Sequence, residues 1–339
     1  MPDRLVDRRP EVPAGRLLAE LVPPPRFTAV RFHTYRPDPD QPTQRAALDL
    51  VSGFAARLDS ASAAPAPARR WFRRGSGAPA GPAGVYLDGG FGVGKTHLLA
   101  ALWHAAPAPK AYGTFVELTA LVGALGFAPT VEALGGHRLL AIDEFELDDP
   151  GDTVLVSTLL TRLVERGVRL AATSNTQPED LGAGRFNAED FLREIQALAA
   201  RFATVRVDGE DYRHRGLPTA PPPRSDAEVR AAVDPPGGTL DEFPALCAHL
   251  ATLHPSRYGA LVDGVRAVGL LGVTPVADQA TALRLVVLVD RLYDRDVPVT
   301  ASGAPLTGLF PAEFLTGPHR KKYQRAVSRL VALSRGAAG

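Results

Sequence analysis

The sequence predicts an α/β protein whose main body is a parallel β-sheet flanked by helices, and three observations carry that expectation. Between residues 85 and 207, short apolar runs alternate with segments of helical spacing. The first run, Val85-Tyr86-Leu87, passes directly into a glycine-rich loop and then into a helical pattern. A later run, Leu139–Ile142, is apolar at consecutive positions, as strands buried on both faces are. Such alternation closes into a parallel sheet covered on both sides.

Taken in order, the first 36 residues hold short apolar pairs (Leu17-Leu18, Leu21-Val22) broken by Pro23-Pro24-Pro25. Ala46, Leu48, Val51, Phe54, Ala55 and Leu58 then fall on one helical face. Residues 60–84 are rich in Ala, Pro, Gly and Ser and read as a flexible connection, interrupted by Arg69-Arg70-Trp71-Phe72-Arg73-Arg74. The strand at 85–87 precedes a helix near Leu98–His104, a strand at Tyr112–Val116 and a helix at Leu118–Leu125. After the run at 139–142 come a helix over Val154–Val164, a strand at Val168–Ala172, a helix at Phe191–Phe202 and a strand at Thr204–Val207.

Prolines at 218, 221–223 and 235–236 mark a linker, and a second body follows. Its patterns predict helices at Leu240–Leu253, Tyr258–Val265, Ala277–Tyr293 and Tyr323–Ser334, with strands at Val268–Val273 and Val297–Ala301. The passage from Leu163 to Ser174 echoes the passage from Leu292 to Ser302, each a helix end running into a strand. That echo makes the second body α/β rather than a helical lid.

Length and composition narrow the class. At 339 residues the chain has room for two domains, and 45% hydrophobic residues supply their cores. Lys and Arg number 38 against 37 Asp and Glu, so no overall field favours nucleic acid or a membrane. No apolar stretch approaches the ~18 residues of a membrane-spanning helix, and no apolar segment follows the charges at Asp3, Arg4, Asp7, Arg8 and Arg9 as a secretory signal would require. The lone cysteine, Cys247, has no disulfide partner, and a cytoplasmic location is the expectation.

The chemistry concentrates in three stretches. Gly89-Gly90-Phe91-Gly92-Val93-Gly94-Lys95-Thr96 satisfies G-x-x-x-x-G-K-[ST]. Its glycines let the backbone curl so that successive N–H groups face phosphate oxygens. Lys95 would reach the β- and γ-phosphates, Thr96 would ligate Mg²⁺, and the following helix would add its positive end. His97, next in the chain, would line the nucleotide pocket without a chemical role. Leu139-Leu140-Ala141-Ile142-Asp143-Glu144 then ends an apolar strand in two carboxylates. Asp143 suits Mg²⁺ and Glu144 suits a general base for the attacking water. At the end of the next strand, Asn175 would face the γ-phosphate as a sensor, because ligands of parallel sheets sit at the carboxyl ends of the strands.

These stretches make the expected domains an N-terminal extension and helix (1–59), the connection (60–84), a P-loop ATPase core (85–216), a Pro-rich linker (217–238) and a C-terminal α/β subdomain (239–339). ATP and Mg²⁺ are the expected ligands.

With those motifs quoted, the chain resembles the ZapE family, the Afg-like ATPases related to AAA+ proteins. Asp143-Glu-Phe followed by Asp149 and Asp152 is similar to one family signature. So are Thr173-Ser-Asn175 before Pro178-Glu-Asp-Leu181, then Asp211-Tyr212-Arg213, Leu292-Tyr293-Asp294 and Ser328-Arg329-Leu330. Where the family often carries Gly-Leu-Gln-Arg, this chain has Gly184-Arg185-Phe186-Asn187. Arg185 is therefore the first choice for an arginine finger acting in trans, with Arg193 and Arg201 as alternatives. The resemblance implies an AAA+-like core, Mg²⁺-dependent ATP hydrolysis and a protein partner in the bacterial cell-division machinery; a homo-oligomer is a further expectation.

Two alternatives stay open. One is an ATP-gated interaction or quality-control adaptor with slow hydrolysis; the other is a helicase-loader-like ATPase on DNA, against which stands the lack of a basic recognition helix. The Arg69–Arg74 cluster reads as a solvated linker. His249 and His254 lack an acidic third ligand for zinc. Gln41 or Gln44 could meet adenine.

Overall fold

The computed structural model describes residues 2–63, 82–90, 92–145, 150–177, 200–209, 221–317 and 319–336. They form two compact units, one of Ala14–Pro23 with Phe27–Tyr212, the other of Met1–Pro13, Pro24–Arg26 and Arg213–Gly339.

In the first unit, helices α1 (Ala14–Ala19) and α2 (Pro42–Ala63) precede β1 (Gly84–Gly89) and α3 (Lys95–Ala105). Then come β2 (Lys110–Thr114), α4 (Phe115–Leu125), α5 (Phe127–Leu134), β3 (Leu139–Asp143), α6 (Pro150–Glu165), β4 (Arg169–Thr173) and β5 (Phe202–Val207). The five strands run in the order β2-β3-β4-β1-β5, all pairs parallel. Alternation along the strands divides two cores between the faces. Tyr86, Leu140, Ile142 and Leu170 pack with Leu118, Leu121, Leu159 and Leu163. Val85, Leu87, Leu139 and Ala141 pack with Val51, Phe54, Leu98 and Leu102. Every residue of β3 is buried, which is why it reads as an unbroken apolar run.

Several boundaries differ from the sequence reading for local reasons. The strand expected to reach Val116 stops at Thr114, because that residue caps α4. Its hydroxyl accepts from the Glu117 N–H at 3.3 Å while Glu117 Oε2 accepts from the Thr114 N–H at 2.7 Å, a reciprocal pair that turns the chain into a helix. Phe202, expected at a helix end, opens β5, and Ala200 and Arg201 before it form a turn; residues 191–199 of that expected helix lie outside the described residues. Helix α5 has no counterpart in the sequence reading.

The second unit contains α7 (Asp226–Ala232), β6 (Gly238–Glu242), α8 (Phe243–Ala251), α9 (Tyr258–Leu261), β7 (Ala267–Val273) and α10 (Gln279–Asp294). It ends with β8 (Val299–Gly303), α11 (Ala312–Thr316) and α12 (Arg320–Gly336). Strands β6-β7-β8 form a parallel sheet in that order. The echo between residues 163–174 and 292–302 corresponds to α6 into β4 and α10 into β8. The expected helix from Leu240 is a strand followed by a helix. Asp241 and Glu242 continue the sheet, and Pro244 sits in the first helical turn, where its missing N–H costs nothing.

The N-terminal residues belong to this second unit, whereas punctuation in the sequence joins residues 1–59 to the first. Asp3 bridges to Thr239 beside β6. Asp241, itself buried, accepts from the Leu5 and Val6 N–H groups at 3.0 and 3.1 Å. Burial pushes its carboxyl above the usual range, and these two donors pull it back. Leu5 is fully enclosed in the core with Phe243, Leu246 and Leu250. His249 Nε2 meets the Arg8 carbonyl at 2.9 Å and Nδ1 meets Arg9 Nη1 at 3.0 Å, so this ring ties down the N-terminal residues. His254 instead holds the following turn, 3.3 Å from the Ser256 N–H.

Candidate functional site

The site forms along the carboxyl edge of the first sheet, where β1, β3 and β4 end side by side. Gly89 closes β1 at φ 144°, and a Cβ there would lie 2.1 Å from the Val207 carbonyl oxygen of β5. Only glycine lets the chain leave the sheet at that point. Gly94, the residue before α3, has φ 95°, and a Cβ on it would come within 2.5 Å of the Tyr35 ring. Tyr35 is tethered in turn, its hydroxyl donating to the Val93 carbonyl at 3.1 Å. Burial raises its phenol to about 12, so that donor keeps its proton. The loop is thus clamped between β5 and an aromatic ring contributed from before α2.

That clamp makes Gly94→Ala disruptive on two counts. A left-handed backbone costs an ordinary residue ~1–2 kcal/mol, and the methyl must also displace Tyr35. The expected result is a fall in melting temperature of about 2–4 °C per kcal/mol lost together with weakened nucleotide binding. Calorimetry and a nucleotide titration check it; unchanged binding would mean the loop tolerates that shift.

Lys95 is buried, and its Nζ donates to the Gly89 carbonyl and to Asn175 Oδ1, each at 2.9 Å, and to the Gly90 carbonyl. The sequence paired Lys95 and Asn175 only by motif logic; the fold joins them directly. Thr96 Oγ1 donates to Asp143 Oδ1 at 3.2 Å, bringing the first helical turn of α3 to the end of β3. Tyr112, on β2, donates to Asp143 Oδ2 at 2.9 Å, and Thr173, the last residue of β4, donates to Oδ1. Three hydroxyls from three elements therefore orient one buried carboxylate.

Glu144 follows at φ 55°, an uncommon conformation for a residue with a side chain. Two bonds to the last residue of β4 hold it there. The Glu144 N–H donates to Thr173 Oγ1 at 3.0 Å, and the Phe145 N–H to the Thr173 carbonyl at 2.7 Å. Phe145 is buried edge-on against Phe115. Non-glycine outliers of this kind cluster at functional sites, where the surroundings over-determine them. Beyond Asn175, the Tyr86 hydroxyl donates to the Thr176 carbonyl at 2.9 Å and anchors the loop.

His97 turns toward the segment before α2, 5.5 Å from the Tyr35 ring and 2.8 Å from Thr34 Oγ1. Burial pushes its pKa below the usual value, which leaves the ring neutral at pH 7. Gln44 is also spoken for. Its Oε1 accepts from the Asp38 N–H at 2.9 Å and its Nε2 donates to the Asp208 carbonyl at 2.8 Å, so it ties the pre-α2 segment to the end of β5 rather than presenting a free amide to adenine. Asp88, on β1 beside the loop, is buried 3.7 Å from Arg206. Burial raises its carboxyl, and the charges of Arg206 and Lys95 oppose that rise.

Among the expected residues, Gly89, Gly90, Gly92, Val93, Gly94, Lys95, Thr96, Asp143, Glu144 and Asn175 lie along one edge of the sheet. Phe91, Asp149, Arg185 and Arg193 fall outside the described residues, as do the Arg69–Arg74 cluster and Asp211-Tyr212-Arg213. Arg201 is exposed, and its carbonyl accepts from the Ala83 N–H at 2.9 Å, ahead of β1 and β5 and so at the opposite edge of the sheet. Sequence reasoning missed Tyr112, Thr173 and Tyr35 as site residues. Thr173 lay inside the quoted Thr-Ser-Asn stretch, whereas no local pattern points to Tyr112 or Tyr35, which reach the site only through strand register and chain return.

The donor set fits Mg²⁺ with a triphosphate. Thr96 Oγ1 and Asp143 Oδ1 are hard oxygens within one hydrogen bond of each other. Mg²⁺ is commonly held by one or two such side chains plus phosphate oxygens rather than by a protein cage. Among the described residues no cluster of three or more His, Cys, Asp or Glu could hold a metal by itself. None of the single helices described is long and apolar enough to cross a membrane.

Comparison with known proteins finds relatives along most of the chain. The Cell division protein ZapE of Escherichia coli K12 is 29% identical over 297 residues, covering 73% of this chain and 76% of its own. An uncharacterised protein of Schizosaccharomyces pombe is 27% identical over 177 residues, covering 46% of this chain and 39% of its own. Solved structures similar in part include DnaI (TM-score 0.41, 15% identity, 58% of this chain and 98% of that one). Another is AMPPCP-bound DnaA from Aquifex aeolicus (TM-score 0.39, 15% identity, 53% and 50%). The profile of the AFG1-like ATPases matches residues 11–235 and 223–337, nearly the whole length. A nucleotide-binding ATPase with a P-loop at the carboxyl edge of a parallel sheet, the chain belongs to the AFG1-like ATPase family.

Proposed function

We propose that the chain hydrolyses ATP to ADP and phosphate at the edge formed by β1, β3 and β4, with Mg²⁺ held by Thr96 and Asp143. The observation that supports this most strongly is the set of direct bonds joining Lys95 to Asn175 and Thr96 to Asp143. Backbone N–H groups of residues 89–96 cradle the phosphates, and the α3 N-terminus adds its partial positive charge. Mg²⁺, when bound, supplies charge neutralisation across the phosphate oxygens. Lys95 exchanges its loop carbonyls for phosphate oxygens, and Asn175 senses the terminal phosphate. Glu144 accepts the proton of the attacking water, its backbone held by Thr173. Arg185 is our candidate for a finger supplied to a neighbouring copy.

The E. coli relative is named a cell division protein, and we extend to this chain the reading that hydrolysis drives remodelling of a protein partner in that machinery. Titration with a fluorescent ATP analogue, with and without Mg²⁺, tests the site. Metal-dependent binding and phosphate release are expected, and failure to bind adenine nucleotide with Mg²⁺ would overturn the reading. Affinity capture with Glu144→Gln protein in ATP tests the division role. Capture of division proteins in ATP but not ADP is expected; DNA retention instead would favour a replication role.

A further inference from the structure

The geometry points to Tyr112 as a positioning residue for the metal-facing carboxylate: its hydroxyl holds Asp143 Oδ2 so that Oδ1 stays turned toward Thr96. This deepens the proposed function and rests on Asp143 being the carboxylate that meets Mg²⁺.

Tyr112 pairs in register with Ala141 and Thr114 with Asp143 on the parallel strands β2 and β3. Tyr112 and Thr114 point to the same face, as do Ala141 and Asp143. The tyrosine therefore stands one same-face step back from the carboxylate and reaches forward along the strand to it, at 2.9 Å. Its ring is buried with Leu87, Leu98, Leu102 and Leu139, which fixes the direction of the hydroxyl before any ligand arrives. A donor mounted on a flexible side chain could not hold the carboxylate at a set angle; one mounted on a packed ring can.

The division of labour between the two oxygens is the second part of the argument. Oδ1 takes Thr96 and Thr173, and Oδ2 takes Tyr112. A metal held by Thr96 and Asp143 would take the place of the Thr96 hydrogen bond at Oδ1, so the hydroxyl on Oδ2 is the contact that can persist when the ion is bound. Groups hydrogen-bonded behind a ligating carboxylate set its orientation, and their loss typically costs ~10–100-fold in metal affinity or activity. Neither the glycine loop nor the Asp-Glu pair reveals this contact, since Tyr112 precedes Asp143 by 31 residues and lies in no motif.

Tyr112→Phe removes the hydroxyl and keeps the ring. Binding of a fluorescent ADP analogue is measured in EDTA and across a Mg²⁺ titration, alongside the same change in an Asp143→Ala background. The expected result is a rise of ~10-fold or more in half-saturating Mg²⁺, with metal-free binding within about twofold of wild type, and no added effect once Asp143 is gone. An unchanged Mg²⁺ titration overturns the proposal. Equal weakening in both arms, unfolding, or an effect that persists without Asp143 assigns Tyr112 to packing alone and overturns it too. Absence of any Mg²⁺ effect in wild-type protein would count against the proposed function itself, a result distinct from all of these.

Discussion

Glu144→Gln protein should bind ATP within about twofold of wild type yet turn it over ~10²–10⁴-fold more slowly, the usual worth of a positioned general base. The substitution keeps the shape of the side chain and removes its capacity to accept a proton. The backbone bonds that place residue 144, from its N–H to Thr173 Oγ1 and from Phe145 to the Thr173 carbonyl, do not involve the carboxylate. The left-handed turn at φ 55° should therefore survive, and loss of turnover cannot be ascribed to a collapsed strand end. Single-turnover hydrolysis with a parallel binding titration separates the two quantities. Turnover at the wild-type rate would mean that another group activates the water.

Lys95→Ala is expected to act earlier, on binding. A hydrogen bond to a charged group contributes ~1.5–3 kcal/mol, so loss of one such phosphate contact alone should weaken ATP by roughly 10- to 150-fold. Hydrolysis should become undetectable, because in the proposed mechanism the same ammonium would also face charge developing on the transferred group. The structure adds a further cost. Lys95 Nζ bonds the Gly89 and Gly90 carbonyls and Asn175, so its removal takes a donor from all three at once. A thermal scan without nucleotide should then show a lower midpoint than wild type, and added ADP should no longer raise it as mass action requires of a bound ligand. Retained ADP stabilisation would show that the loop amides suffice for binding.

The contrast between these two substitutions locates the steps. Glutamine at 144 should trap a bound state, whereas alanine at 95 should prevent one. Tyr112→Phe belongs between them, altering the metal requirement without touching phosphate.

The glycine loop, the Asp143-Glu144 pair and Asn175 were legible in the amino-acid sequence because each is a local requirement. Tight backbone curvature demands glycine within a few residues, and a buried parallel strand demands consecutive apolar side chains before its carboxylates. The helix and strand periods likewise defined most elements of both units, including the helix-to-strand echo at α6–β4 and α10–β8. Boundaries went astray where capping decided them, as at Thr114, or where a short strand abutted a helix, as at Gly238–Glu242.

Contacts between residues far apart in the chain were left to the tertiary structure. The β2-β3-β4-β1-β5 order brings Tyr112, Asp143 and Thr173 together, although 61 positions separate the first from the last. Strand order also sets Lys95 against Asn175, and the return of the N-terminus buries Leu5 in the second unit. Periodicity reports which face of an element is apolar, but not which other element covers that face or in what register. Those choices emerge from the packing of the whole sheet, and they decide which side chains hold the Asp143 carboxylate in place.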